Sequence, residues 1–68
     1  MENWYERLMN EEEQTRTRLA KLNNFIATSE FTKLSKANQA LLIIQASAMK
    51  TYIDVLIQRI RLKAAVAE

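Results

Sequence analysis

An all-α fold is predicted by three observations. Glycine and proline are both absent from the 68 residues, which removes the usual residues for hairpin turns and left-handed backbone. Leu42, Ala46, Met49, Ile53, Leu56 and Ile60 recur at the alternating four- and three-residue spacing of a helix that packs against a helix. A second stripe, Leu41, Ile44, Ala48, Tyr52, Val55 and Leu62, runs beside the first, with Ile43 and Ile57 outside both. A helix apolar over that much of its circumference needs neighbours on several sides, and the rest of the chain supplies one. A symmetric homo-oligomer of helical hairpins is therefore expected.

The length bounds the answer in the same direction. A single domain spanning residues 1–68 rarely yields more than roughly 3–5 kcal/mol from its own core. Cysteine and histidine are absent, so neither a disulfide nor a His/Cys metal site makes up the shortfall, and association does.

The first helix is expected over residues 2–27, opened by early acids that suit the positive end of its dipole. Its heptad positions are Tyr5, Leu8, Glu12, Thr15, Leu19, Leu22 and Ile26, apolar at both ends and polar in the middle. Such an interruption marks either register control or a ligand pocket. Ser29 is the expected N-cap of a short connecting helix over residues 30–34, with Phe31 and Leu34 facing inward. Ser35 caps a long helix over residues 36–66, with Asn38 and Gln39 placed as capping-box partners. At 1.5 Å per residue this helix spans roughly 45 Å. Being longer than its partner, it should project at residues 59–66 or meet another subunit there, and the alanine-rich tail is expected to fray.

Charge is unevenly spread although the net is only +2. Residues 1–13 are acidic, with Glu2, Glu6, Glu11, Glu12 and Glu13 against Arg7, whereas Arg16, Arg18 and Lys21 follow without an acid among them. Helix electrostatics account for such a gradient, as does an anion-binding role. Lacking His and Cys, the chain has no imidazole base and no thiolate, so enzymatic activity is not expected. Glu11, Glu12 and Glu13 are consecutive and point in different helical directions, so they do not converge on one cation and are expected to form a solvated acidic face. No glycine-rich loop cradles phosphate; any phosphate recognition falls to Arg and Lys side chains or helix N-termini. No cofactor is implied.

What remains open is an anionic aromatic ligand. Trp4 and Tyr5 lie beside Arg7, and Arg18 and Lys21 follow on the same helix. In a symmetric oligomer the start of one helix can face the basic part of another, joining stacking surfaces to cations as a nucleotide requires. Interface packing explains the aromatics equally. Arg59, Arg61 and Lys63 form a second basic group, suited to a helix C-terminus. On a symmetry axis they would instead form a ring of like charge that an anion relieves. The small net charge speaks against general DNA or RNA binding. No uninterrupted apolar run reaches a membrane span and no signal peptide opens the chain, so a cytoplasmic protein without a membrane partner is expected.

Several segments, in order along nearly the whole chain, carry a resemblance: Trp4-Tyr5-Glu6-Arg7-Leu8, Lys21-Leu22-Asn23-Asn24-Phe25-Ile26, Ser29-Glu30-Phe31, Leu41-Leu42 with Gln45, Ala48-Met49 with Tyr52, and residues 56–60. Together they resemble the phage anti-CBASS cyclic-oligonucleotide sponges. That resemblance implies a helical homohexamer in the cytoplasm of the infected host cell. Such a sponge sequesters the cyclic di- and trinucleotide messengers of CBASS immunity, cyclic GMP-AMP among them, without cleaving them. It implies dinucleotide pockets between protomers, contacted by an aromatic (Trp4 or Tyr5, beside Arg7) and a basic residue (Arg18 or Lys21). It further implies separate trinucleotide sites on symmetry axes, lined by Arg59, with Arg61 and Lys63 next in order. The alternative from the residues alone is a helical oligomer that docks on a host protein through the second stripe or the basic end.

Overall fold

The computed structural model describes residues 3–65 and is helical throughout, with no strand among them. Three helices follow in order: α1 (Trp4–Ile26), α2 (Ser29–Thr32) and α3 (Lys36–Ala65). Helix α1 starts because Asn3, extended at φ −92° and ψ 169°, accepts the Glu6 amide on its side-chain oxygen at 2.8 Å. This satisfies one of the amides that the first turn leaves open. Helix α1 is shorter than the expected 2–27, because Asn3 and Ala27 serve as its caps. Of the tail expected to fray, Ala64 and Ala65 still belong to α3, and residue 66 and those after it lie outside the described residues.

The chain reverses without glycine because it never needs a positive φ; none occurs among the described residues. Ala27 closes α1 in right-handed geometry (φ −83°, ψ 0°), donating to the Asn23 carbonyl at 3.2 Å. Thr28 then turns extended and caps α2, its hydroxyl accepting from the Phe31 amide at 3.4 Å. The expected cap, Ser29, is instead the first residue of the helix, and α2 ends at Thr32 rather than residue 34. Thr28 wins because its hydroxyl also donates to the Phe25 carbonyl at 2.6 Å, tying the end of α1 to the start of α2. Ser35 caps α3 as its position suggests, its hydroxyl accepting from the Asn38 amide at 3.1 Å. Gln39 does not complete a capping box. Its side-chain amide reaches back to the Leu34 carbonyl at 2.9 Å and the Thr32 carbonyl at 3.3 Å.

The core is one antiparallel seam between α1 and α3, closed at the turn by Phe31, which meets Phe25 edge-on with ring centroids 6.2 Å apart. Leu8, Thr15, Ile53 and Leu56 are buried in the seam, Leu56 most deeply at 1% exposure. Every heptad position read on the first helix is buried or half-buried, and so is every member of the first stripe of α3. The polar middle is satisfied rather than open. The buried Thr15 hydroxyl donates to Glu11 Oε2 at 3.4 Å, and the half-buried Glu12 carboxylate accepts from the Arg16 guanidinium at 3.0 Å.

The second stripe of α3 is left exposed within the chain, touched from α1 at Tyr52, whose hydroxyl donates to Glu11. Leu41, Ile44 and Leu62 are 62%, 62% and 66% exposed, and Ala48, Tyr52 and Val55 are exposed with them. Ile57, placed outside both stripes by spacing, is half-buried. The projecting end does not materialise. Lys63 sits over the indole of Trp4, Nζ 5.8 Å from the ring centroid, so the first residue of α1 reaches almost the end of α3. The difference in length is taken up at the turn, where α2 bridges it. By length and composition α3 also passes as a membrane-crossing helix, with only 11% of the qualifying window buried. Uninterrupted runs conceal this because Lys50 and Asp54, an exposed ion pair at 3.5 Å, stand midway along the helix.

Truncating Leu56 to alanine should lower stability by about 2–4 kcal/mol, since the side chain is fully enclosed. Leu41→Ala should leave the unfolding free energy of the isolated hairpin within about 0.5 kcal/mol of wild type. Urea denaturation of both variants at low protein concentration checks this; a larger loss for Leu41→Ala than for Leu56→Ala would mean that α1 packs on the other stripe.

Candidate ligand-binding site

The antiparallel register sets the start of α1 beside the last turns of α3, and two grooves open there, one on each flank of the seam. The first, about 330 Å³, is lined by Trp4, Arg7, Leu8, Glu11, Tyr52, Leu56 and Arg59. The second, about 590 Å³, is lined by Met9, Asn10, Glu12, Glu13, Arg16, Ile57, Ile60 and Arg61. Leu8 and Leu56 form the floor of the first, and Met9, Ile57 and Ile60 give the second its apolar walls.

The grooves differ in electrostatics. In the larger one Arg16 is already engaged: its guanidinium donates to Glu12 through Nε at 3.0 Å and through Nη2 at 3.5 Å. That hydrogen bond and the carboxylate charge favour the charged form of Arg16 further. Glu13 adds a second acid. In the smaller groove neither Arg7 nor Arg59 belongs to an ion pair among the described residues. Trp4, 55% exposed, stands at its rim, edge-on to Tyr5 with centroids 6.1 Å apart. An exposed indole in one groove with Arg7 and Arg59 offers a stacking face beside two guanidiniums that pair with no acid among the described residues.

The structure thus regroups the expected residues. Trp4 and Arg7, expected in a dinucleotide pocket, share a groove with Arg59, expected in a trinucleotide site, and Lys63 joins them. Arg61 faces the other groove. Arg18 and Lys21 line neither. They continue the face of α1 that carries Trp4, Arg7 and Glu11, but Arg18 lies roughly 21 Å from Trp4 along the axis at 1.5 Å per residue. Within one chain the aromatic and that basic pair do not meet.

Two groove residues escaped the sequence reading in this role. Tyr52 was read as packing and Glu11 as part of a solvated acidic face, yet the Tyr52 hydroxyl donates to Glu11 Oε2 at 3.0 Å across the helix pair. The hydrogen bond to Glu11, then partial desolvation, pushes the Tyr52 phenol above its ordinary value near 10, while Arg59 pulls it down slightly. The available signal was spacing: Tyr52 and Arg59 are seven residues apart on α3, and Trp4, Arg7 and Glu11 follow a three-four rhythm on α1.

Over residues 2–62 the sequence matches the Sequestin family. The chain belongs to the Sequestin family. This fits the resemblance to the sequestering anti-CBASS proteins, which rested on segments within the same range. No curated protein and no solved structure shows a significant match to it.

Because the phenol's folded value is raised, its hydrogen bond contributes fully below about pH 10 and is lost as pH rises through the raised value. Alkaline titration at 295 nm should show a phenolate transition above pH 10 that disappears in Tyr52→Phe. A lost transition at or below pH 10 would place the Tyr52–Glu11 bond outside the solution structure.

Proposed function

We propose that this Sequestin-family protein is a phage anti-defence sponge that binds cyclic di- and trinucleotide messengers of CBASS immunity and holds them uncleaved in the host cytoplasm. The observation that carries the proposal is the groove that joins an exposed Trp4 to Arg7 and Arg59 with Lys63 above it. A base stacks on the indole while phosphate oxygens take the two guanidiniums, whose planar forks suit them. Family membership supports sequestration as the purpose of such a site. With no histidine or cysteine to move a proton or attack phosphorus, retention rather than turnover is the chemistry these residues favour.

The working form in this proposal is a symmetric homo-oligomer, a hexamer by the resemblance. The accessible surface, 5320 Å², exceeds the roughly 4,400 Å² of a compact monomer of this mass. The excess is about the roughly 800 Å² that each partner of a standard interface buries. A second copy suits the exposed stripe of α3 better than lipid, because Lys50 and Asp54 would sit at mid-membrane, where charge is costly. Docking two copies also supplies the only route by which Arg18 or Lys21 approaches Trp4. The same exposed stripe supports a second reading, a helical module that docks on a host protein.

Isothermal titration with cyclic GMP-AMP, a cyclic trinucleotide and a linear dinucleotide tests the proposal. Saturable binding of the cyclic ligands alone is expected, with unaltered ligand recovered after heat denaturation; degraded ligand, or no heat with any of them, overturns it. Arg59→Ala should weaken binding by about tenfold or more, the usual consequence of losing a charge-assisted hydrogen bond. Ile44→Glu with Val55→Glu should dissociate the assembly in sedimentation while leaving helicity intact.

A further inference from the structure

One acid stands in the basic groove. Glu11 lines the same groove as Arg7 and Arg59, half-buried, and its carboxylate is held: Tyr52 donates to Oε2 at 3.0 Å and Thr15 donates to the same oxygen at 3.4 Å. Neither bond uses Oε1. For a site that takes anions this placement is costly, since a carboxylate repels phosphate at close range. Nor is Glu11 needed to neutralise the arginines, because it pairs with neither. Beyond tying Thr15 and Tyr52 together, a held acceptor in one groove with a stacking face and two guanidiniums is placed to take a neutral donor.

Resting on the sponge reading, we propose that Glu11 is a specificity-determining residue of this groove, accepting a hydrogen bond through Oε1 from a ribose hydroxyl or a base N–H while Arg7 and Arg59 take the phosphates. The anchoring matters. A free carboxylate would swing to water when no donor arrives, whereas one held by Tyr52 and Thr15 stays and is left desolvated against the ligand. Analogues without the donor are therefore rejected rather than merely bound with one bond fewer. In the second groove Glu12 is spent on Arg16, and its other acid, Glu13, is exposed.

The test titrates the full chain with cyclic GMP-AMP, its 2′-deoxy analogue and the analogue with inosine in place of guanosine, for wild type, Glu11→Ala and Glu11→Gln. Wild type should bind the parent about tenfold or more tightly than one analogue. Weakening by the deoxy analogue identifies the ribose hydroxyl, and weakening by inosine identifies the base. Glu11→Ala should bring the ratio to near one, and Tyr52→Phe, which frees the carboxylate, should reduce it about threefold. If Glu11→Ala loses helicity, Glu11→Gln decides: it keeps the shape and should still flatten the ratio. A wild type that binds all three equally, or variants that keep the wild-type ratio, overturn the proposal while leaving the sponge reading intact. Failure of wild type to bind any cyclic ligand overturns both.

Discussion

Helix α3 is apolar on two faces, and the chain contains one helix to cover them. Everything else follows from that imbalance. Helix α1 takes the face that includes Ile53 and Leu56, and the seam between the two helices buries Leu8 and Thr15 as well. Among the described residues five are buried, the fifth being Phe31 at the turn. Such a core is near the lower limit for independent stability. The stripe from Leu41 to Leu62 remains exposed, and the proposed association is what would cover it.

The register of the hairpin decides where recognition chemistry collects. The chain turns without glycine because the Thr28 hydroxyl bonds both back to Phe25 and on to Phe31, and the Gln39 side chain reaches back from α3 to the Leu34 carbonyl. With the turn fixed, Tyr52 reaches Glu11 across forty-one positions of sequence, and the polar centre of the seam becomes a hydrogen-bonded cross-link instead of a defect. One consequence is local order at the groove floor. The other is that Arg59 arrives beside Arg7 with no acid paired to either.

Both roles of the surface share residues. Tyr52 belongs at once to the exposed stripe and to the smaller groove, and Arg59 stands where that stripe would otherwise continue between Val55 and Leu62. A copy docking on the stripe would border the groove, so ligand and assembly would bear on one another through the same side chains. A ligand that binds only the assembled form stabilises it by mass action.

Composition and periodicity alone determined that this chain is helical, that α1 packs through Leu8, Thr15 and Leu19, and that α3 does so through Ile53 and Leu56. Those properties are local: propensity, spacing and the absence of glycine and proline act within a few residues of one another. The serine cap of α3 was legible for the same reason. The groove was not, because it joins Trp4 and Arg7 to Tyr52 and Arg59, residues some fifty positions apart whose meeting depends on the exact turn. Spacing on one helix cannot report which residue of the other helix lies opposite. Hence Trp4 and Arg59 were assigned to different sites, and Glu11 was read as solvated surface. Only the tertiary fold, by fixing the antiparallel register, made one groove of them.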